Sequence, residues 1–329
     1  MRSAKYRCGP RRVPDGGGVL FVHAHPDDES AGTGGTIARL VAEGVRVDLV
    51  TCTDGAEGEI HDPTLDPDEA RPRLAEIRAQ ELACSVEALG GGAIHHHLLG
   101  YRDSGMMGTD ANEHPDSFWK ADIAEATRRL LAIVREARPS AIVSYDENGN
   151  YGHPDHINAA RIARDAYAAA ADASVHPEAG PPWRVSRFHE LAFSREGWLD
   201  LVTEMQARGI PLPWDFGDSL PETRSEDLNP QNAGSVTAVG EALEDGAPAE
   251  DVAWGRPDAE VTTRVDVRAH LDAKRRSMDC HRTQRQDLGW MLELPDDLAD
   301  RILGTEHYVL RWLDGRDVDS TCQETSLLP

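Results

Sequence analysis

Two short apolar segments each run into a cluster of histidine and acidic residues, and this pairing limits what the chain can fold into. Residues 19–22 lead into His25-Pro26-Asp27-Asp28-Glu29, and residues 141–143 are followed by Tyr151-Gly152-His153-Pro154-Asp155-His156. Short apolar runs of this kind predict strands buried in a parallel sheet. Because open α/β sheets carry their sites at the carboxyl ends of the strands, we expect both clusters to lie at one edge of the same sheet.

The segments that follow the first strand indicate the fold class. Residues 33–43 have apolar side chains at helical spacing and end at Gly44, and residues 45–50 form a second apolar run. This order predicts a right-handed βαβ unit. We therefore expect an α/β fold with a Rossmann-like, mostly parallel sheet flanked by helices, and a C-terminal α/β extension. The glycines near residue 32 do not form G-x-G-x-x-G, so no dinucleotide site is predicted.

Composition divides the chain into three parts. Residues 1–18 are predicted to be a flexible tail, residues 19–193 the catalytic core, and residues 194–329 a C-terminal extension. Within the extension, residues 211–259 form a long acidic loop that we expect to flank the pocket, since loops of this length are often lids or disordered segments. His281 falls in a predicted helix over 269–286, as a core or edge residue or as a group that reaches the site from the other side.

Charge and cysteine usage exclude several classes of function. Lys and Arg number 34 against 58 Asp and Glu, which gives a net charge of −24. Such a surface repels phosphate backbones and anionic lipid, so neither nucleic acid nor membrane is an expected partner. The five cysteines are scattered without a C-x-x-C pair, so no disulfide framework or structural zinc cluster is predicted. We expect a cytoplasmic protein with a small-molecule substrate, either a monomer or a small homo-oligomer.

The two clusters supply the ligands that a catalytic metal requires. His25 and Asp28 lie three residues apart across a proline turn, and His156 comes from the second cluster. A catalytic zinc ion takes a few histidine or carboxylate ligands and keeps one position open for water. We therefore predict a Zn²⁺ site at these three residues, with Fe²⁺ as the alternative because it accepts the same ligand set.

The remaining polar residues of the clusters are candidates for proton transfer. Asp27 is predicted to be the general base for a metal-bound water. His153 is predicted to be either the general acid or a stabiliser of the oxyanion, with its tautomer fixed by Asp155 or Asp146. The same tripeptide also occurs at His114-Pro115-Asp116, without a preceding strand or a second cluster. We interpret that copy as a helix start only.

These motifs resemble a known family. Ala24-His25-Pro26-Asp27-Asp28-Glu29, with residues 146–156 as its partner, is similar to the signature of the PIG-L/LmbE metal-dependent N-deacetylases. Arg102-Asp103-Ser104-Gly105-Met106 and Tyr145-Asp146-Glu147-Asn148-Gly149 resemble its mycothiol branch, which contains the N-acetylglucosaminyl-inositol deacetylase and the mycothiol S-conjugate amidase. The resemblance covers residues 19–173 with specific motifs and 261–312 more loosely, and it implies an LmbE-like fold.

The resemblance also implies further site residues. Tyr151 would donate a hydrogen bond to the oxyanion, while Arg78 and Asp103 would contact the sugar or inositol. Met106 lies on the same loop as Asp103 and is a further substrate-binding candidate. Glu57 could line a sugar pocket by its residue type. The plain alternatives are a solvated loop acid for Glu57 and a surface helix arginine for Arg78.

The main hypothesis is a metal-dependent hydrolase that removes an N-acyl group, such as acetyl, from a mycothiol-type glucosaminyl-inositol. The alternatives are a mycothiol S-conjugate amidase, an N-deacetylase of a glycosylated natural product, and a sugar-binding protein without turnover. Asp27, His153 and Tyr151 argue against the last, since binding alone needs no base. Gly32 stands where the amidases typically carry a lysine and the deacetylases a serine, and it matches neither.

Overall fold

The computed structural model describes residues 17–211 and 255–329. The predicted flexible tail over 1–18 and the predicted acidic loop over 211–259 therefore lie almost entirely outside the described residues.

One sheet organises the molecule. Its strands are β1 (Val19–His23), β2 (Val47–Thr53), β3 (Ile94–Tyr101), β4 (Ala141–Ser144), β5 (Arg187–Ala192), β6 (Thr263–Asp266), β7 (Thr305–Leu313) and β8 (Arg316–Asp317). They lie in the order β3-β2-β1-β4-β5-β7-β6, with β8 paired to β7. The first five strands are parallel to one another, and β7 is antiparallel to β5, β6 and β8. The predicted fold class is confirmed.

Helices cover the sheet. They are α1 (Asp28–Ala31), α2 (Gly34–Ala42), α3 (Pro67–Ala70), α4 (Leu74–Leu89), α5 (Ile123–Ala137), α6 (Pro154–Ala169), α7 (Arg195–Ala207), α8 (Leu271–Cys280), α9 (Arg285–Leu292) and α10 (Asp296–Leu303). Helix α5 begins at Ile123, where the Asp122 side chain caps it by accepting from the backbone N–H of Ala124. None of the described helices is long and apolar enough to cross a membrane.

The strand order explains where the site forms. Every residue of β1 and β4 is buried, as expected for parallel strands covered on both faces. The chain leaves β1 towards β2 on one side and leaves β4 towards β5 on the other, so the order reverses between the two adjacent strands. A crevice opens at such a switch point. Both predicted clusters follow these two strands.

The described part of the C-terminal extension continues the core sheet through β7 and β6. A buried ion pair fixes it: Lys274 Nζ lies 2.7 Å from Glu306 Oε1, and both side chains are 2% exposed. The Glu306 carboxylate also accepts from the backbone N–H groups of Gly35 and Thr36 at 2.9 and 2.8 Å. It therefore satisfies N–H groups at the start of α2, where a negative charge is favourable.

A disulfide corrects one expectation from the sequence. Cys84 in α4 and Cys280 at the end of α8 are bonded, although 196 residues separate them. Pairing over this distance depends on how α4 packs against α8, which the spacing of cysteines does not reveal.

Candidate metal centre and active site

Three side chains, each with a ligand atom for a metal, converge at the switch point. His25 Nδ1 lies 3.2 Å from His156 Nε2, and Asp28 places Oδ2 3.5 Å from the former and Oδ1 3.4 Å from the latter. Two ligands that each lie about 2.1 Å from zinc at a tetrahedral angle are about 3.4 Å apart. The structure thus brings together the three predicted ligands at the spacing that one small divalent ion needs, and the site can hold a metal.

The tautomer of His25 is set by Asp155. His25 Nε2 lies 3.2 Å from Asp155 Oδ2, and this carboxylate also accepts from the backbone N–H of Ser104 at 2.9 Å and from the Ser104 hydroxyl. Because a carboxylate only accepts hydrogen bonds, this contact places a proton on His25 Nε2, and the neutral ring is then unprotonated at Nδ1. Its Nδ1 lone pair then faces Asp28 and His156. A metal-ligating histidine is commonly held by a carboxylate in this way.

The predicted link between Asp155 and His153 runs through the backbone of Asp155 and not through its carboxylate. Asp155 contacts His153 only through its backbone N–H, which donates to His153 Nδ1 at 3.1 Å. The other candidate, Asp146, places its carboxylate 3.0 Å from Arg256 Nη2. With Nδ1 occupied as an acceptor, neutral His153 carries its proton on Nε2. Its Nδ1 is not available to a metal, which distinguishes it from His25.

A second His-Pro-Asp turn shows how much of this geometry is local. His114 and His153 have the same backbone angles, φ −64° and ψ 131°. At His114 the ring Nδ1 also accepts from the backbone N–H two residues on, that of Asp116, at 3.2 Å. His114 is exposed, and a 3₁₀ turn at Phe118–Lys120 follows it rather than the predicted α-helix start. The hydrogen bond to Nδ1 is therefore a property of the turn itself, whereas burial beside His25 lowers the pKa of His153.

His153 is neutral at physiological pH. Burial, together with the nearby rings of His25 and His156, lowers its pKa to about 2. Its ring centroid lies 4.5 Å from that of His25. Of the two roles left open by the sequence, the geometry favours hydrogen-bond donation from Nε2 to an oxyanion over proton transfer from an imidazolium.

Asp27 lies beside the three donor atoms in a strained conformation. Its φ is 133°, a region that residues with a Cβ rarely adopt. Its Oδ2 lies 3.1 Å from Arg78 Nη2. Burial raises the pKa of Asp27 to about 7, although the charge of Arg78 acts to lower it. A carboxyl group with a pKa near neutrality suits a general base.

Arg78 is neither a surface arginine nor a residue of the pocket rim. It is 2% exposed, and its guanidinium donates to the carbonyls of Pro26 at 2.5 Å and Gly55 at 2.9 Å. A Cβ at Gly55 would lie 2.6 Å from Arg78 Nη1, and Gly55 has φ +67°. The loop after β2 therefore closes over Arg78 only because glycine stands there. The Arg78 guanidinium therefore holds residues 25–29, here called the catalytic loop, and does not point into open space.

Asp103 is also buried. It is 3% exposed, its Oδ1 lies 3.6 Å from His25 Nε2 and accepts from the Gly105 N–H at 2.9 Å, and its Oδ2 accepts from the Glu57 N–H at 3.2 Å. Its carboxylate therefore faces the metal-site histidine and the loop backbone. The Glu57 carboxylate pairs with Arg102 at the protein surface.

Two predicted residues form the exposed rim of the site. Met106 is 49% exposed and Tyr151 is 43% exposed. The Tyr151 hydroxyl lies 3.2 Å from His156 Nε2, so it reaches the three donor atoms from the open side. Tyr151 therefore lies on the exposed side of His25, Asp28 and His156.

Sequence reasoning assigned no role to Glu29, although it belongs to the first cluster. Glu29 is 0% exposed, and its Oε2 accepts from the Asp27 N–H at 3.0 Å. His281 Nε2 lies 2.7 Å from Glu29 Oε1. Burial raises the pKa of Glu29, but His281 and the other hydrogen-bond donors outweigh burial and lower this pKa to about 2. His281 thus reaches the loop of the first cluster from behind, which is one of the alternatives that the sequence left open for it.

Fold and site together define a class: α/β proteins with a histidine and carboxylate metal site at the switch point of a parallel sheet. The profile of the family described as PIG-L: GlcNAc-PI de-N-acetylase matches residues 20–167. A 1D-myo-inositol 2-acetamido-2-deoxy-alpha-D-glucopyranoside deacetylase from Thermobispora bispora is 41% identical over 302 residues, which cover 89% of this chain and 87% of that protein. The chain belongs to the PIG-L family, which confirms the resemblance seen in the sequence.

Solved structures support the fold. The N,N'-diacetylchitobiose deacetylase from Pyrococcus horikoshii has a TM-score of 0.51 at 19% identity, covering 89% of this chain and 83% of its own. The 4-carboxy-2-hydroxymuconate hydratase from Pseudomonas putida has a TM-score of 0.53 at 16% identity, covering 89% and 95%. Because one of these is named a deacetylase and the other a hydratase, the shared fold alone does not assign a reaction.

Proposed function

We propose that this protein is a metal-dependent hydrolase that removes the acetyl group from an N-acetylglucosaminyl-inositol. The observation that carries the proposal is geometric: the Asp27 carboxylate, held by Arg78, lies beside three ligand side chains spaced for one ion. Relatives about 40% identical over most of the chain are named as deacetylases of this glucosaminyl-inositol, which supports the substrate class.

The residues fit a metal. His25, Asp28 and His156 would hold it, with Zn²⁺ preferred for two imidazoles and one carboxylate and Fe²⁺ as the second candidate. When bound, such an ion lowers the pKa of a coordinated water and polarises the amide carbonyl. Asp155 contributes by keeping the proton of His25 on Nε2, so that Nδ1 is a ligand at neutral pH.

The side chains around the donor atoms perform the proton transfers. Asp27 accepts the proton of the attacking water as the new C–O bond forms. His153 Nε2–H and the Tyr151 hydroxyl donate hydrogen bonds to the developing oxyanion. When the C–N bond breaks, protonated Asp27 delivers its proton to the leaving amine. Arg78 keeps the Asp27 carboxylate in place and favours its ionised form.

Substrate contacts are proposed at the rim. Met106 and Glu57 border the opening and can pack against a sugar or form hydrogen bonds to it. Arg78 and Asp103 are buried, so we assign them to holding the loops around the site instead of to substrate binding. A Cβ at Gly32 would lie 2.8 Å from Leu191 Cδ2 inside the protein, so the glycine packs closely against Leu191.

The test is an assay for newly exposed primary amine with fluorescamine. Zinc-loaded protein is incubated with N-acetylglucosaminyl-inositol, N-acetylglucosamine, an N-acetylglucosaminylated glycopeptide and a mycothiol S-conjugate in parallel. We expect amine release chiefly from the first, and its loss in Asp27→Asn. Asp116→Asn is the matched control, since it makes the same change in the second His-Pro-Asp turn and should leave the rate unchanged.

Other outcomes decide against parts of the proposal. Preferential cleavage of the S-conjugate or the glycopeptide would move the assignment to the amidase or to a natural-product deacetylase. Metal binding without turnover of any substrate would contradict the hydrolase itself. Full activity of Asp27→Asn would show that another group is the base.

A further inference from the structure

Three buried side chains, Glu29, Ser85 and His281, form a chain of hydrogen bonds, here called the relay, that holds the backbone of Asp27. Glu29 Oε2 accepts from the Asp27 N–H at 3.0 Å. Glu29 Oε1 accepts from two donors, the Ser85 hydroxyl of α4 and His281 Nε2, the latter at 2.7 Å. All three side chains that form this relay are almost fully buried, at 0%, 0% and 1% exposure. Since φ at Asp27 is strained, such contacts are what keep it in place.

The Cys84–Cys280 disulfide joins the two donors of this relay. Cys84 directly precedes Ser85 in α4, and Cys280, the last residue of α8, directly precedes His281. A covalent bond therefore lies one residue from each group that donates to Glu29 Oε1. Ser277 of α8 adds a hydroxyl contact to Ser85 at 2.6 Å. The disulfide thus fixes the end of α8, and with it His281, against α4.

The disulfide is accessible although the relay is not. Cys84 is exposed and Cys280 half-buried. Both lie in a surface depression of about 610 Å³ that is also lined by Glu87, Arg276, Asp279 and Arg282. The two arginines balance the two acidic residues, so the lining carries no net negative charge that would repel an anionic thiolate, which is the nucleophile in thiol–disulfide exchange.

We propose that Cys84–Cys280 is a redox modification site through which a low-molecular-weight thiol controls how firmly the catalytic loop is held. A thiolate attacks Cys84 Sγ, the S–S bond breaks, and the electron pair leaves on Cys280 Sγ, which takes a proton from water. A second thiol then attacks the mixed disulfide and releases Cys84 as a thiol. In total, two thiols are oxidised to one disulfide while the protein disulfide is reduced. The effect on catalysis rests on the function proposed above.

Reduction should weaken the relay without dismantling it. The His281 ring has one described partner, Glu29, since its Nδ1 makes no hydrogen bond in the described part of the chain. Glu81 of α4 still holds Thr283, by bonds of 2.8 and 2.6 Å to its N–H and hydroxyl. We therefore expect kcat to fall by about 3–10-fold with KM unchanged, as for a small displacement of a catalytic group.

The experiment compares the zinc-loaded full chain before and after treatment with reduced glutathione. Mass spectrometry verifies cleavage of Cys84–Cys280, and metal content is measured so that loss of zinc is not mistaken for reduction. The double variant Cys84→Ser/Cys280→Ser should have the lower kcat with or without the thiol. Reoxidation should restore the wild-type rate. A fall in kcat of the double variant on treatment would place the effect at another disulfide and overturn the proposal.

A positioning role for His281 is tested by rescue. His281→Ala should reproduce the reduced state, whereas His281→Gln, whose amide N–H can occupy the place of Nε2–H, should recover most of kcat. Amide hydrogen exchange at residues 27–30, which should quicken on reduction, needs no turnover. If exchange quickens and no substrate is cleaved, the proposed function fails and the redox link stands. Unchanged exchange and unchanged kcat after verified cleavage would refute the link.

Discussion

Replacing Asp155 by alanine separates the role that the sequence suggested from the one that the structure shows. In the structure its carboxylate accepts from His25 Nε2 at 3.2 Å, while its contact to His153 is made by the backbone and survives the substitution. Without the carboxylate, neutral His25 can move its proton to Nδ1, which faces Asp28 Oδ2 at 3.5 Å. That tautomer cannot ligate a metal. We therefore expect Asp155→Ala to weaken zinc binding.

The size of the effect follows from the hydrogen bonds that the Asp155 carboxylate accepts. Removing the group that orients a metal-ligating histidine weakens metal binding by about 10–100-fold, or about 1.4–2.7 kcal/mol. Asp155 is 0% exposed, and its removal also leaves the Ser104 N–H and hydroxyl without their acceptor. Each buried donor left unsatisfied costs about 1–3 kcal/mol of folding stability. Asp155→Asn can keep an oxygen at the Oδ2 position, so its metal affinity should lie between wild type and alanine.

The assay is competition for zinc with a chromophoric chelator, alongside urea unfolding of the apo-protein to separate lost affinity from lost folding. Asp116→Ala is the matched control, because it makes the same change in the exposed turn and should alter neither quantity. A different pattern would refute the reasoning: unchanged zinc affinity of folded Asp155→Ala together with a large fall in kcat. Asp155 would then act through His153, as the sequence suggested.

Three further predictions follow from buried charges. Arg78→Met removes the charge that lowers the pKa of Asp27, so the base should lose its proton only at higher pH, and the acidic limb of the kcat/KM profile should move upward in pH. Lys274→Met leaves the buried Glu306 without its counter-charge, which should destabilise the fold by about 3–5 kcal/mol in urea unfolding. Arg135, 1% exposed, donates to backbone carbonyls around the end of α6, so Arg135→Lys should lower the free energy of unfolding in urea by at least about 2 kcal/mol.

The sequence predicts what local pattern determines. β1 and β4 are recognisable because strands buried on both faces are apolar throughout, and a His and Asp cluster after each one indicates a shared edge. The convergence of His25, Asp28 and His156 follows from those two facts together. The βαβ pattern predicts that β1 and β2 are parallel strands of one sheet. It does not predict that β1 and β4 are neighbours, which is what places both clusters at one switch point.

Contacts between distant residues account for what the sequence did not predict. The bond between Asp155 and His25 spans 130 residues and that between His281 and Glu29 spans 252. The predicted helix over 269–286 is interrupted after Cys280, and Glu81 takes the Thr283 N–H just beyond the break. A tertiary contact thus overrides helical periodicity. The pairing of Cys84 with Cys280 depends on the same packing.

One helix explains why the site depends on residues that never touch the pocket. Arg78, Glu81 and Ser85 lie at spacings of three and four along α4 and are 2%, 8% and 0% exposed, so they share one buried face. Arg78 holds the Asp27 carboxylate, Ser85 holds Glu29, and Glu81 holds the segment after His281. If this face of α4 served packing alone, its buried side chains would be apolar. The polar face of α4 is better explained as the support of a strained base, and an alanine at any of the three should cost catalysis as well as stability.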